Sequence, residues 1–200
     1  MLERRITVNN FECRTIRNHV PGLPVVFLHG YSSTSEIWNK ISVLSLLEDQ
    51  KIPFLALDMP YAPKSKCSPK TLHPDDNVNF VWNALYLSFG LSKCVIVGGN
   101  LGGYMALRYA LKNHTRGVML MAPVWTTEEK LTEQYKNLKI PVSIILGSND
   151  PIVSVDEMER LNKLLPNSKL SIYKNAGHGA YLDNPERFKK ELLAFYNEVK

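Results

Sequence analysis

The apolar residues of this chain fall into two patterns that alternate along its length. One is a short, mostly apolar burst: Val25–Leu28, Phe54–Leu57, Cys94–Val97, Gly117–Met121, Val142–Leu146 and Leu170–Tyr173. Such bursts are too short for helices and read as strands buried on both faces. The other is a spacing of three and four. It runs through Ser35–Leu47 at Ile37, Ile41, Leu44 and Leu47, and through the segment opened by Pro74-Asp75-Asp76 at Val78, Val81, Trp82 and Leu85. It recurs after Gly102 and over Ser154–Leu165 and Pro185–Val199, each predicted helical. Trp38, Trp82 and Tyr109 lie on such faces and are expected in the core.

Ahead of the first burst, Arg5–Val8, Asn9-Asn10 and Phe11–Ile16 read as strand, turn and strand. The pattern predicts one α/β domain over residues 1–200, with a mostly parallel sheet of about eight strands, helices on both faces and an antiparallel hairpin in front. Residues 124–140 form a short, helix-like insertion between two strands.

Composition narrows the classes. The chain is 44% hydrophobic and 22% charged, as a globular protein is, and holds no apolar run long enough to span a membrane. Its first residues lack the apolar core of a signal peptide, so a cytoplasmic location is expected. The net charge of +5 comes from scattered lysines, the densest being Lys64, Lys66 and Lys70 and the pair Lys189 and Lys190; this is a solvated surface and not a nucleic-acid stripe. Cys13, Cys67 and Cys94 form neither a disulfide framework nor a metal or redox pair, and Cys94 reads as core packing. His19, His73 and His114 are expected on loops or the surface, and no metal or cofactor is implied.

Chemistry enters after the strands. Gly98-Gly99-Asn100-Leu101-Gly102 has the G-x-S-x-G frame with asparagine at its centre. That frame makes a sharp strand-to-helix turn with a strained central backbone. It fits neither G-x-G-x-x-G nor a phosphate-binding G-K-[ST] loop. Three further stretches follow strands: His29-Gly30-Tyr31, Asp150 in Ser148-Asn149-Asp150-Pro151, and His178 in Ala176-Gly177-His178-Gly179. Chain order is therefore the G-x-N-x-G centre, then an acid, then a histidine.

In these residues the chain resembles the α/β-hydrolase superfamily, most of all its small, lid-poor members such as the short mammalian α/β-hydrolase-domain proteins. Asp58-Met59-Pro60 with Ser65 is similar to the family's D-x-P-G-x-G-x-S loop, departing at Tyr61-Ala62-Pro63. The resemblance implies a catalytic set of Asn100, Asp150 and His178, with Asn100 at the nucleophile position and Asp150 orienting His178. It also implies an oxyanion hole from the backbone N–H groups of Tyr31 and Leu101. His29 is expected to be structural. Tyr31, Trp125 and Tyr181 are candidate substrate-binding aromatics.

An amide has no proton that histidine can usefully remove, so Asn100 cannot serve as a serine does. Three readings follow. The chain is a hydrolase of a small carboxylic ester or thioester, silenced or using an atypical mechanism. Alternatively it is a non-catalytic ligand- or partner-binding protein on the same scaffold. Least favoured is a dehalogenase or epoxide-hydrolase type of site with aspartate changed to asparagine, since the insertion at 124–140 is small for a cap. The expected partner is a small molecule, with no nucleic acid and no membrane span.

Overall fold

A computed structural model describes residues 1–113 and 115–200; His114 lies outside the described residues. The hairpin is β1 (Leu2–Val8) and β2 (Phe11–Arg17), paired Val8 to Phe11 around the turn. Both turn residues, Asn9 and Asn10, have positive φ (48° and 69°). This is the two-residue turn whose twist matches the strands it joins, and asparagine tolerates it.

The alternating part runs β3 (Val25–Leu28), α1 (Glu36–Lys40), α2 (Val43–Asp49), β4 (Phe54–Leu57), β5 (Cys67–Ser68), α3 (Pro74–Phe89), β6 (Val95–Gly99), α4 (Leu101–Lys112) and β7 (Gly117–Met121). It continues with α5 (Glu129–Tyr135), β8 (Val142–Gly147), α6 (Val155–Leu164), β9 (Ser168–Tyr173), α7 (Ala180–Asp183) and α8 (Pro185–Val199). One sheet carries the order β1-β2-β4-β3-β6-β7-β8-β9, with β5 paired to β2. Strands β4, β3, β6, β7, β8 and β9 are parallel, and the hairpin joins them antiparallel through β2 and β4.

Alternation along each strand divides the core. Val26, Leu28, Ile96, Leu120 and Ile144 pack with α3, α4, α5 and α6, while Val25, Phe27, Val97, Met119 and Ile145 pack with α1, α2, α7 and α8. From β3 the chain steps to β4 on one side, and later to β6 on the other. The crevice between the carboxyl ends of β3 and β6 is therefore a topological switch point, where such sheets hold ligands.

The structure corrects several expectations. The helix expected over Ser35–Leu47 is two helices, because Ser42 takes a left-handed backbone (φ 57°) between α1 and α2. Trp82 is 37% exposed and stacks on Tyr86 at 5.8 Å on the outer side of α3. Helical spacing put it next to Val81 and Leu85, but the buried stripe of α3 stops short of it. Cys13 and Cys67 face one another across β2 and β5 and are joined as a disulfide. Linear spacing carried no sign of this, since β5 is only two residues long. Cys94 is fully buried, and burial pushes its thiol up to about 12.

An ionic knot fastens the loop after β4. Buried Arg14 of β2 donates to Asp58 (3.3 Å), Ser35 Oγ (3.1 Å) and Glu36 (2.7 Å). Asp58, fully buried, also accepts from the Ser35 N–H (2.8 Å) and the Lys66 N–H (2.6 Å). Burial alone would raise the Asp58 pKa; the donors from Ser35, Lys66 and Arg14 outweigh it and hold the carboxyl below its ordinary value. Ser65 Oγ closes the same loop, its one hydrogen shared between Met59 O (2.7 Å) and Ala62 O (2.9 Å).

Two predictions follow from this architecture. A Cβ on Gly102 would overlap Leu28 O and lie 2.6 Å from His29 O, whereas one on Gly99 meets nothing closer than 3.7 Å. Gly102→Ala is expected to cost about 3 kcal/mol or more, and Gly99→Ala under about 1 kcal/mol, read as shifts in urea unfolding. The second concerns acid. A depressed folded pKa means that the Asp58 contribution is complete above the unfolded carboxylate value and lost as pH falls through the folded one. Asp58→Asn removes the buried charge that faces Arg14, leaving the guanidinium Glu36 as an ionic partner at 2.7 Å, and is expected to cost about 3 kcal/mol at pH 6. That gap should narrow below about pH 4; a gap independent of pH would exclude the ionic role.

Candidate active site

The floor of the switch-point crevice is built by close packing. A Cβ on Gly98 would lie 2.7 Å from Gly103 N, and one on Gly103 would lie 2.8 Å from Pro123 Cβ. Only glycine lets β6, α4 and β3 approach so closely. The chain must reverse within one residue, and Asn100 takes φ 52°, ψ −119° to do so. That backbone lies outside even the left-handed helical well and costs roughly 1–3 kcal/mol. It is held by Asn100 N–H donating to Met121 O (2.9 Å), and by Asn100 O accepting from Gly103 (3.0 Å) and Tyr104 (3.3 Å).

Asparagine before a helix ordinarily caps it with its side chain. Here the side chain makes no cap hydrogen bond. It points into the crevice, where Nδ2 lies 3.0 Å from His178 Nε2 and Oδ1 accepts from the Tyr31 N–H at 3.4 Å. His178 Nδ1 lies 2.8 Å from Asp150 Oδ2. One proton arrangement satisfies all three contacts: His178 is neutral, donates through Nδ1 and accepts the amide at Nε2. The Asp150 side chain is 1% exposed, and its other oxygen accepts from the N–H groups of Ile152 (2.8 Å) and Val153 (3.0 Å). These donors fix the carboxylate, which fixes the ring.

Tyr31, Asn100, Asp150 and His178 thus come together from the ends of β3, β6, β8 and β9. Leu101 follows at the first position of α4, where its N–H is among those left without an intrahelical acceptor. His29 stands apart. It is fully buried, donates through Nδ1 to Gly30 O (2.8 Å) and accepts the Met59 N–H at Nε2 (3.0 Å). Burial lowers its pKa to about 4, so it is a neutral strut.

Two hollows meet at Asn100 and Tyr31. One, of about 570 Å³, is lined by Ser32, Ser33, Ile37, Lys40, Met121, Ile152, His178, Tyr181 and Leu182. The other, of about 360 Å³, is lined by Leu72, Leu101, Val124 and Trp125. Of the three aromatic candidates, Tyr31 (46% exposed) borders both, Trp125 (57%) borders the second, and Tyr181 is buried, stacked on Trp38 at 5.4 Å. The segment after Trp125 folds back onto α4, where Tyr104 donates to Glu128 (3.1 Å) and Leu131 and Tyr135 enter the core.

Lys40, Ile37 and Ile152 escaped the sequence reading. Ile37 and Lys40 are three apart on α1, a spacing that marks a shared face, but nothing in the chain showed that this face borders the crevice.

The α/β hydrolase fold family model matches residues 24–136 and 126–185. Protein ABHD14A of Mus musculus is 30% identical over 177 residues, covering 88% of this chain and 70% of that protein. A Rattus norvegicus protein named "Putative protein-lysine deacylase ABHD14B" is 31% identical over 182 residues, covering 88% and 83%. Among solved structures, a Thermoplasma acidophilum protein described as a predicted CIB-like hydrolase matches with a TM-score of 0.88 at 22% identity, over 99% of this chain and 98% of that one. That last likeness is one of fold alone; the family match and the two relatives place the chain in the α/β hydrolase fold family.

Proposed function

We propose that the crevice is an acyl-hydrolase site for a small carboxylic ester or thioester, with Asn100 at the position of the attacking group. The observation that carries this reading is the hydrogen-bonded line Asn100–His178–Asp150, at 3.0 and 2.8 Å, beside the Tyr31 N–H. In this reading Asp150 orients His178 and stabilises the imidazolium that forms when His178 takes a proton. Tyr31 and Leu101 donate to the developing oxyanion, with the N-terminal end of α4 adding favourable potential. The deacylase name of the ABHD14B relative supports acyl groups as the substrate class and brings acylated amines within the range to be tested.

Asn100 determines what remains of the reaction. Its amide nitrogen is not nucleophilic, so no acyl-enzyme forms through it. Water activated by His178 would have to attack directly, once substrate had displaced the amide from Nε2. Loss of one member of such a set leaves a residual acceleration on the order of 10³–10⁴ over water.

One observation favours a second reading, a ligand-binding protein that does not turn over. Asn100 occupies both the acceptor of His178 and the donor of Tyr31, the two groups that catalysis needs free.

The deciding comparison is the unaltered chain, Asn100→Ser, and Asn100→Ser with His178→Ala, assayed on short-acyl aryl esters and an ε-acyl-lysine peptide. Asn100→Ser is expected to raise kcat/KM at least about 10³-fold, and the added His178→Ala to abolish the gain. Turnover by the unaltered chain that disappears in His178→Ala alone would establish attack by water. If every variant is inert at all acyl lengths, the hydrolase reading fails and the binding reading stands.

A further inference from the structure

The larger hollow has an electrical asymmetry that the hydrolase reading does not use. Lys40, the last residue of α1, lines it together with Ser32 and Ser33, and no aspartate or glutamate does. Asp150 is shut behind His178 and spends its oxygens on that ring and on two backbone N–H groups. Glu36, four residues before Lys40, is the neighbour a helical lysine would ordinarily pair with. It is drawn instead to Arg14 at 2.7 Å, as part of the knot around Asp58. Lys40 makes no ion pair among the described residues; it is exposed and lies in the lining of the crevice. The same hollow has a largely apolar lining in Ile37, Met121, Tyr181 and Leu182.

We infer that the larger hollow is an acyl subsite for a chain ending in a carboxylate. The ester carbonyl lies at Asn100, the methylenes lie on Ile37 and Met121, and the terminal carboxylate lies on Lys40 with the Ser32 and Ser33 hydroxyls. The substrate class is a half-ester of a short dicarboxylic acid. Its leaving group enters the apolar hollow of Leu72, Val124 and Trp125. A single ammonium matches the single charge of a carboxylate; a phosphate dianion would leave one charge uncompensated. The assignment rests on the acyl-hydrolase reading for its carbonyl end, while its anionic end rests on Lys40 alone.

The test has two arms. In the first, the unaltered chain is titrated calorimetrically with monomethyl glutarate and with dimethyl glutarate, at low and high salt. The half-ester is expected to bind about fivefold more tightly or better, with the preference shrinking in high salt. Lys40→Met should remove the preference, Lys40→Arg keep it and Lys40→Glu reverse it. In the second arm, Asn100→Ser is assayed on the 4-nitrophenyl half-ester of glutaric acid and on 4-nitrophenyl butyrate. Adding Lys40→Met should raise KM for the half-ester relative to the butyrate, with its kcat held, as loss of uniform binding requires.

Equal binding of the charged and neutral esters, or a preference that survives Lys40→Met, overturns the inference. Turnover of the butyrate by Asn100→Ser bears on the hydrolase reading alone. If neither the unaltered chain nor Asn100→Ser turns over any ester while the first arm shows a Lys40-dependent preference, the hydrolase reading falls and the anion subsite holds.

Discussion

The site depends on how closely three pieces of backbone are pressed together. Gly98 on β6, Gly102 on α4 and the carbonyls of Leu28 and His29 after β3 leave no room for a single added carbon at either glycine. Because helix and strands cannot separate, the chain has one residue in which to turn. That residue, Asn100, is forced to φ 52° and presented at the top of the sheet. The same approach brings the Tyr31 N–H to the turn from the neighbouring strand, at 3.4 Å from the amide oxygen. Strain of roughly 1–3 kcal/mol at this point is small beside the burial that the close packing permits on both faces of the sheet.

The surrounding loops are held by groups with no part in the proposed chemistry. His29 ties Gly30 to Met59 through its two ring nitrogens, and Tyr61 donates its hydroxyl to His29 O. Arg14 and Asp58 fasten the start of α1 to the loop that ends in β5. In taking Glu36 as well, Arg14 sets the charge facing the crevice, because a helix this short offers Lys40 no other acidic neighbour in its first turn. A structural ion pair and the polarity of the site are therefore parts of one arrangement.

Much of this was legible in the chain, for a reason that also marks the limit. Val25–Leu28 and Phe54–Leu57 end in the structure where their apolar bursts end, at His29 and Asp58. The candidate residues could be named because each follows such a strand. What escaped depends on contacts between distant segments. The break at Ser42 reflects a backbone reversal that spacing cannot register. The junction of Cys13 with Cys67 depends on a two-residue strand, and the outward face at Trp82 on how far α3 sinks into the sheet. Lys40 reads as one surface lysine among many until Glu36 is seen to be taken.

Asparagine at position 100 is consistent with each level of this structure. Its backbone lies outside the left-handed well that asparagine favours, so the turn is held by the packing and hydrogen bonds around it. Its side chain, which would ordinarily cap α4, gives up that bond for the imidazole and the Tyr31 N–H. The exchange replaces one hydrogen bond with two, one through each polar atom of the amide. The amide therefore engages both the imidazole and the Tyr31 N–H. Any carbonyl ligand must compete with it for the same donor, and this ties the affinity of the crevice to the position of one side chain.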